Sequence, residues 1–146
     1  MLRGNFAARI DDKGRLKIPA AFRAPIEERH GDALFVTSLT GESVRIYPMP
    51  IWIGIEEKLA RIPSAHPSRG RFFDHVNFYG QPAELDKQGR VSVHTRLREA
   101  ASMVGEVDVF GHYDYLEVWN HERIVARLER EPFTDDDARA LAEFGI

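Results

Sequence analysis

Two carboxylate–guanidinium pairs are the residues of this chain best placed to do chemistry. Asp11 lies four residues before Arg15, and Asp86 lies four residues before Arg90. A carboxylate beside a guanidinium is held in its charged form, which makes it a poor general base near neutral pH. We therefore interpret each aspartate as a group that orients its arginine or accepts turn N–H groups. An arginine held in this way loses less conformational freedom on meeting a phosphate or a guanine edge.

Both pairs belong to a stretch that occurs twice. Residues 10–23 read I-D-D-K-G-R-L-K-I-P-A-A-F-R, and residues 85–98 read L-D-K-Q-G-R-V-S-V-H-T-R-L-R. A constant offset of 75 residues aligns the aspartates, the arginines, the apolar positions, and Gly14 with Gly89. Each copy predicts a polar turn closed at glycine, a short strand that shows alternate residues to a core, and one or two turns of helix.

The charge of the chain is unevenly distributed. The 146 residues carry a net charge of −3 with a pI near 6.1, which argues against a protein that coats nucleic acid by bulk charge. Residues 1–23 nevertheless carry +4, and the remainder carries −7. The cations of this stretch are Arg3, Arg9, Lys13, Arg15, Lys17 and Arg23. Such a patch is typical either of a phosphate-binding surface or of ordinary surface arginines on a solvated strand.

Several classes of site are not supported by the sequence. Cysteine is absent, so disulfides and thiolate metal sites are excluded. The six histidines lack metal-ligand spacing, and there is no nucleotide-binding glycine motif or hydrolase nucleophile motif. We therefore expect no cofactor and no enzymatic activity. No apolar run approaches the roughly 20 residues of a membrane span, and no signal-peptide apolar region opens the chain, so we expect a cytoplasmic protein without a membrane partner.

The first half is predicted to alternate between strands and helices. Pro19 is expected to begin a helix that ends at Arg23, because the residue before Pro25 disfavours the α region. The apolar stripe that contains Trp52 and Ile55 has helical spacing, and we interpret it as core or subunit contact. The remaining predicted elements are strands at 6–10, 16–18, 33–37 and 43–47 and a helix at 51–62.

The second half is predicted to follow the same order. A Pro- and Ser-rich connection at 63–70 is followed by an aromatic-rich strand at 72–80. Thr95 is expected to cap a helix, and Thr134 a terminal helix that docks on the body or on a neighbouring subunit. The other predicted elements are hairpin strands at 107–110 and 116–119 and a helix at 122–130.

The doubled D-x-x-x-R pattern and the opening M-L-R-G-N-F, in a chain of this length, resemble the MraZ family of bacterial transcriptional regulators. The resemblance implies an α+β, mainly β fold. Two tandem SpoVT-AbrB-like strand–turn–helix repeats would interleave into one pseudo-dimeric β-barrel-like unit with short peripheral helices. The implied segments are a first repeat at 5–51, a helix and connecting segment at 52–80, a second repeat at 81–124 and a C-terminal helical segment at 125–146.

The resemblance also implies a function. It suggests a sequence-specific DNA-binding regulator, a repressor, of the cell-division and cell-wall gene cluster including its own promoter. Such a protein would bind short repeated boxes of double-stranded DNA as a ring-like homo-oligomer and would be found in the cytoplasm at the nucleoid. The alternative from another class is a non-catalytic protein-interaction scaffold whose apolar stripe at Trp52 and Ile55 binds a partner.

The family motif can be carried over residue by residue. We expect Arg15 to be the principal DNA contact. The supporting phosphate contacts would be Arg3, Arg9, Lys13 and Lys17. The residues expected to support the motif are Asp11, Gly14, Asp86, Gly89 and Arg90. The second copy is less basic, with Ser92 where the first has Lys17, so Arg90 either contacts DNA or serves packing between repeats or subunits.

Overall fold

The structure is a computed structural model and describes residues 1–146. Its strands are β1 (Asn5–Ile10), β2 (Arg15–Lys17), β3 (Ala33–Thr37), β4 (Val44–Pro48), β5 (Gln81–Glu84), β6 (Arg90–Ser92), β7 (Gly105–His112) and β8 (Tyr115–Asn120). Its helices are α1 (Ala20–His30), α2 (Met49–Ala60), α3 (Pro67–Tyr79), α4 (Thr95–Ala101), α5 (His121–Arg130) and α6 (Asp135–Ala142). The same order of strands and helices therefore occurs twice along the chain. None of the helices is long and apolar enough to cross a membrane.

All eight strands form one antiparallel sheet in the order β5-β3-β4-β8-β7-β1-β2-β6. Four of the pairings join strands from opposite halves of the chain, namely β1 with β7, β2 with β6, β3 with β5, and β4 with β8. The sheet curls into a nearly closed barrel with the short helices around it. The interleaved, barrel-like α+β fold is thus confirmed, and neither half could form this sheet alone.

One hydrophobic core lies inside the barrel and draws on both halves. It contains 19 buried residues. The two motif strands contribute to it equally, since Leu16 and Ile18 from the first copy and Val91 and Val93 from the second are each at most 2% exposed. Leu16 lies opposite Val91 across the β2–β6 pair. Because side chains alternate along a strand, the residues on either side of Leu16 and of Val91 must face outward.

Helix α1 is longer than the sequence predicts. It continues past Pro25 to His30 instead of ending at Arg23. Pro25 cannot donate to the carbonyl of Ala21, and a proline inside a helix costs roughly 3 kcal/mol. Phe22 and Ile26 lie on either side of it on one face of the helix, and both are 2% exposed. Burying two large apolar side chains contributes about 1.5–3 kcal/mol each, which offsets the cost of the proline.

The prediction of a strand at 72–80 is wrong. Residues 67–79 form helix α3, which Pro67 begins at its first position, and the strand β5 starts only after it. Phe72 and Val76 lie four residues apart, and Val76 packs with Phe35 and Trp52 in a second buried cluster. Aromatic residues favour strands in general, but here the apolar residues have helical spacing, and their burial in this cluster stabilises the helix.

The structure differs from two predictions about the helices, namely the cap at Thr95 and the docking of the terminal helix on its own chain. Thr95 is the first residue of α4 and makes no capping bond, since His94 occupies the cap position. Thr134 does cap α6, in a capping box with Asp137. No residue of α6 is buried, however, so the terminal helix does not dock on the body of its own chain. Of the two docking surfaces predicted from sequence, only a neighbouring subunit is left as a prediction.

Candidate nucleic-acid interface

The turn of the first motif is held by the side chain of Asp11. Its Oδ1 accepts the backbone N–H of Lys13 at 3.0 Å and that of Arg15 at 2.8 Å. Its Oδ2 accepts Nε of Arg15 at 2.8 Å. The carboxylate thus closes the turn through the backbone and fixes the guanidinium at the same time, leaving the other N–H groups of Arg15 free for an external acceptor.

Asp86 repeats this geometry in the second motif. Its Oδ1 accepts the backbone N–H of Gln88 and of Arg90, both at 2.9 Å, and its Oδ2 accepts Nε of Arg90 at 2.8 Å. In both motifs the backbone N–H of the arginine is the main cause that lowers the pKa of the aspartate below its ordinary value. A carboxylate with a lowered pKa is ionised at neutral pH and holds its arginine rather than moving protons.

Each turn closes at a glycine that has no room for a side chain. Gly14 has φ 79° and Gly89 has φ 74°, which is the left-handed region that favours glycine. An arginine of the opposite half covers each of them. A Cβ on Gly14 would lie 2.6 Å from Cζ of Arg98, and a Cβ on Gly89 would lie 2.8 Å from Cδ of Arg23. The two halves therefore cover each other's turns reciprocally.

Backbone hydrogen bonds fix the two turns relative to each other. The N–H of Ile18 donates to the carbonyl oxygen of Gly89 at 2.9 Å, and the N–H of Val93 donates to the carbonyl oxygen of Gly14 at 2.9 Å. Each turn is thus hydrogen-bonded to the end of the other motif's strand. The outward side chains of the two motifs are held in one rigid arrangement as a result.

The outward side chains of β2 and β6 form one cationic surface. Lys17 lies directly opposite Arg90, and Arg15 lies directly opposite Ser92. We call this two-stranded segment, with its outward residues Arg15, Lys17 and Arg90, the cationic ribbon. Two of its cations come from the first motif and one from the second. The sequence left the place of Arg90 open, and the structure puts it beside the cations of the first motif.

The other predicted contacts lie at different distances from the cationic ribbon. Lys13 is exposed in the turn that leads into β2. Arg9 is exposed on β1, in register opposite Glu106 of β7. Arg3 precedes β1, next to the bridge between Leu2 and Tyr113, and the strand that separates it from the turn is about 17 Å long. The structure therefore brings Lys13 close to the cationic ribbon and leaves Arg3 at the far end of β1.

From the sequence, Arg23 was expected only to be one cation of the basic stretch, and Arg98 received no role. Arg23 and Arg98 cover the turn glycines, and their presence at the same position of both copies was the signal that could have revealed them.

The structure buries the tryptophan of the apolar stripe that the scaffold alternative uses to bind a partner. Trp52 is 3% exposed and stacks on Phe35 with ring centroids 4.6 Å apart. A scaffold that used this tryptophan would need it at the surface.

The side chains of the cationic ribbon could make two kinds of contact with DNA, to base edges and to backbone phosphates. The major groove of DNA is wide enough to admit a two-stranded ribbon. An arginine held by a carboxylate can still donate to a guanine edge in bidentate fashion, whereas lysines mainly contact phosphates and position the protein. No pair of side chains in this surface has the arrangement of a nucleophile and a base.

Comparison with known proteins places the chain among its relatives. The family model described as "MraZ protein, putative antitoxin-like" matches residues 1–74 and 81–144. The chain belongs to the MraZ family. The resemblance carried by the doubled motif is thereby confirmed. Family members with the name transcriptional regulator MraZ include one from Acidobacterium capsulatum, 49% identical over 146 residues, and one from Koribacter versatilis, 46% identical over 147 residues. In both comparisons the match covers 100% of this chain and 100% of the relative.

Proposed function

We propose that this MraZ family member is a transcriptional regulator that binds double-stranded DNA through the cationic ribbon. The observation that carries the proposal is the convergence of Arg15, Lys17 and Arg90 on one rigid two-stranded surface. The net charge of the chain is −3, so this surface stands out against an acidic body. The names of the relatives, which are transcriptional regulators, support the same function.

The motif arginines would read the DNA sequence. Arg15 is the principal contact in this proposal, because Asp11 holds its guanidinium in place before DNA arrives and so reduces the entropy lost on binding. Arg90 is held by Asp86 in the same way, and we propose that it also meets the duplex. Lys13 and Lys17 would contact phosphates. Arg9 and Arg3 would do so only where the duplex follows β1.

The regulator would act as a ring-like homo-oligomer on repeated DNA boxes. Its C-terminal segment supports this, because Phe133, Phe144 and Ile146 are 70%, 78% and 82% exposed and nothing in their own chain covers them. One subunit offers only a few cations. Linked subunits on repeated boxes gain by effective concentration, on the order of 100-fold or more. Binding should then depend steeply on both salt concentration and box number.

The regulated genes follow from the family resemblance. We propose repression of the cell-division and cell-wall gene cluster, including the promoter of this protein's own gene, and therefore a location in the cytoplasm at the nucleoid. A duplex from upstream of the gene is the natural probe. It contains the repeated boxes if the proposal is right, and it can be shortened to one box to test the contribution of neighbouring subunits.

Fluorescence anisotropy with that labelled duplex tests the function. Wild type should prefer it over a scrambled duplex, with affinity that falls as salt rises. Arg15→Ala should lose the preference and about 1–3 kcal/mol of binding free energy. Arg61→Ala removes an exposed arginine that follows α2 and serves as the matched control, since it should bind as wild type does.

Two results would overturn the proposal. Equal, weak binding of both duplexes by wild type and Arg15→Ala would remove the role of Arg15 and move the interaction-scaffold alternative to the front. A single box bound as tightly as several boxes, with one subunit per duplex, would reject the ring. Light scattering of the purified protein, free and with DNA, measures the subunit number directly.

A further inference from the structure

The two arginines that cover the turn glycines differ in their partners. In the first half, Nε of Arg23 donates to Oε1 of Glu27 at 2.7 Å, and Nη2 donates to the carbonyl oxygen of Lys87 at 3.0 Å. In the second half, Nη2 of Arg98 donates to Oγ1 of Thr95 at 3.1 Å, and no carboxylate pairs with the guanidinium. Nε of Arg98 is buried and has no hydrogen-bond partner at all.

The difference follows from the sequence of the two helices. The offset of 75 residues places Ser102 where the first half has Glu27. Helix α1 continues through Glu27 to His30, so that carboxylate can reach back to Arg23. Helix α4 ends at Ala101, and Ser102 takes the left-handed conformation with φ 52°. The second half therefore has neither the side chain nor the helical turn that could neutralise Arg98.

An open pocket takes the place of the missing carboxylate. Its volume is about 330 Å³. Its lining residues are Thr95, Arg98, Glu99, Ser102, Met103 and Val104. Ser102, the counterpart of Glu27, is among them, and so is the arginine with the unpartnered Nε. The guanidinium of Arg98 has no carboxylate partner, so an anion in the pocket would be the first group to balance its charge.

We propose that Arg98 binds a backbone phosphate of the DNA that lies on the cationic ribbon. The phosphate would supply at Arg98 the negative charge that the carboxylate of Glu27 supplies at Arg23. This inference rests on the proposed DNA-binding function. The source of the phosphate follows from position, because the guanidinium of Arg98 lies directly on Gly14, which is the residue between Lys13 and Arg15. A phosphate in this pocket therefore belongs to the same stretch of duplex that Arg15 contacts.

The contact makes the two motifs unequal on DNA. The first motif has beside it an arginine without a carboxylate partner, whereas Arg23 beside the second motif already uses Nε on Glu27 and Nη2 on the carbonyl oxygen of Lys87. The first motif thus anchors the duplex, and Arg90 joins it from the second. One group opposes the contact, since Glu99 also lines the pocket and its carboxylate repels an anion. Its side chain is exposed, so solvent and salt screen that repulsion.

A matched pair of variants tests the inference. Arg98→Gln and Arg23→Gln each remove one positive charge and each uncover one turn glycine, so they match in net charge, although only Arg23→Gln also breaks an ion pair. Only Arg98→Gln should weaken binding, by roughly tenfold for native and scrambled duplexes alike, and reduce the slope of log affinity against log salt by about one. Arg98→Lys keeps the charge and should keep most of the slope. Glu99→Gln should tighten binding.

Other results would overturn it. Equal changes in slope for Arg23→Gln and Arg98→Gln would assign the effect to net charge alone. If Arg98→Lys remains folded by circular dichroism but its salt slope falls as far as that of Arg98→Gln, the effect would be assigned to packing on Gly14. Saturable binding of inorganic phosphate that needs Arg98, with unchanged DNA affinity in Arg98→Gln, would assign the pocket to a free anion. Wild-type DNA binding that is lost in Arg15→Ala but intact in Arg98→Gln would leave the proposed function standing and reject this contact alone.

Discussion

Lys17 lies directly opposite Arg90 across the antiparallel β2–β6 pair, although 73 residues separate them in the sequence. Like charges that face each other across two strands destabilise the sheet. A polyanion on the same surface reverses the sign of that interaction, because it attracts both cations. The place at which two cations face each other in the free protein is thus one at which the proposed DNA contact gains from both.

Lys17→Gln should separate stability from binding. Removing the like-charge pair should leave the free energy of unfolding unchanged or raise it by about 0.5 kcal/mol. DNA binding should weaken for native and scrambled duplexes alike, and the salt slope should fall by about one. Urea denaturation and anisotropy measure the two quantities. Lys58→Gln, at the end of α2, is the control. A destabilised protein with unchanged DNA affinity would show that Lys17 is structural.

Gly14→Ala should be strongly destabilising. The new side chain would meet a left-handed backbone and the guanidinium of Arg98, and a residue forced into this region costs about 1–3 kcal/mol. Gly54→Ala is the matched control, because Gly54 lies within α2 with nothing within 4 Å of a new Cβ. Alanine there should stabilise the protein by about 0.5–1 kcal/mol. Equal melting temperatures for the two variants would contradict the account of the turn.

The aspartates of the motifs should make the protein sensitive to acid. The backbone N–H groups of Arg15 and Arg90 lower the pKa of Asp11 and Asp86 below the value in an unfolded chain. A lowered pKa contributes stability above the unfolded value, roughly 3.9, that is lost as pH falls through the folded-state pKa. Urea denaturation at pH 7, 4 and 3 should show this loss.

The double variant Asp11→Asn, Asp86→Asn should be less stable at pH 7 and should show a flatter decline in acid. The control variant Asp12→Asn replaces the exposed aspartate that follows Asp11. It should retain the wild-type dependence of stability on pH. A double variant whose free energy of unfolding falls as steeply in acid as that of wild type would show that other carboxylates cause the acid sensitivity.

His121 should give the opposite pH dependence. Its Nδ1 lies 2.6 Å from Oδ2 of Asp108, and that hydrogen bond is the main cause that raises the pKa of His121. A raised pKa contributes stability below the unfolded value, about 6.5, that is lost as pH rises through the folded-state pKa. The melting temperature should therefore decline from pH 6 to pH 9. His121→Gln should flatten this decline, whereas His30→Gln should not.

The local parts of the candidate site could be predicted from the sequence. Asp11 and Arg15 are four residues apart, so the turn, its glycine and the carboxylate that holds the arginine all lie within one short segment. The alternation of Leu16 and Ile18 with outward cations is equally local. The same pattern at residues 86–93 predicted the second turn. Family membership followed from these residues and is confirmed, while the DNA contacts stay predictions.

Local signals failed where packing decided the outcome. The aromatic composition of 72–80 favours a strand, yet the segment up to Tyr79 is helical and buries Val76 against Phe35 and Trp52. Pro25 predicts the end of a helix, yet the burial of Ile26 carries α1 beyond it. In both segments the deciding contact is with a part of the chain that no short window of sequence contains.

The sequence alone thus determined two copies of a turn that holds an arginine, because short-range hydrogen bonds fix each turn within four or five residues. Only the tertiary structure decided how the copies meet. Strands pair across the halves because both must bury their apolar faces in one barrel core that neither half can fill. That shared core places Arg90 opposite Lys17 and Arg98 on Gly14, and so turns two separate motifs into one surface.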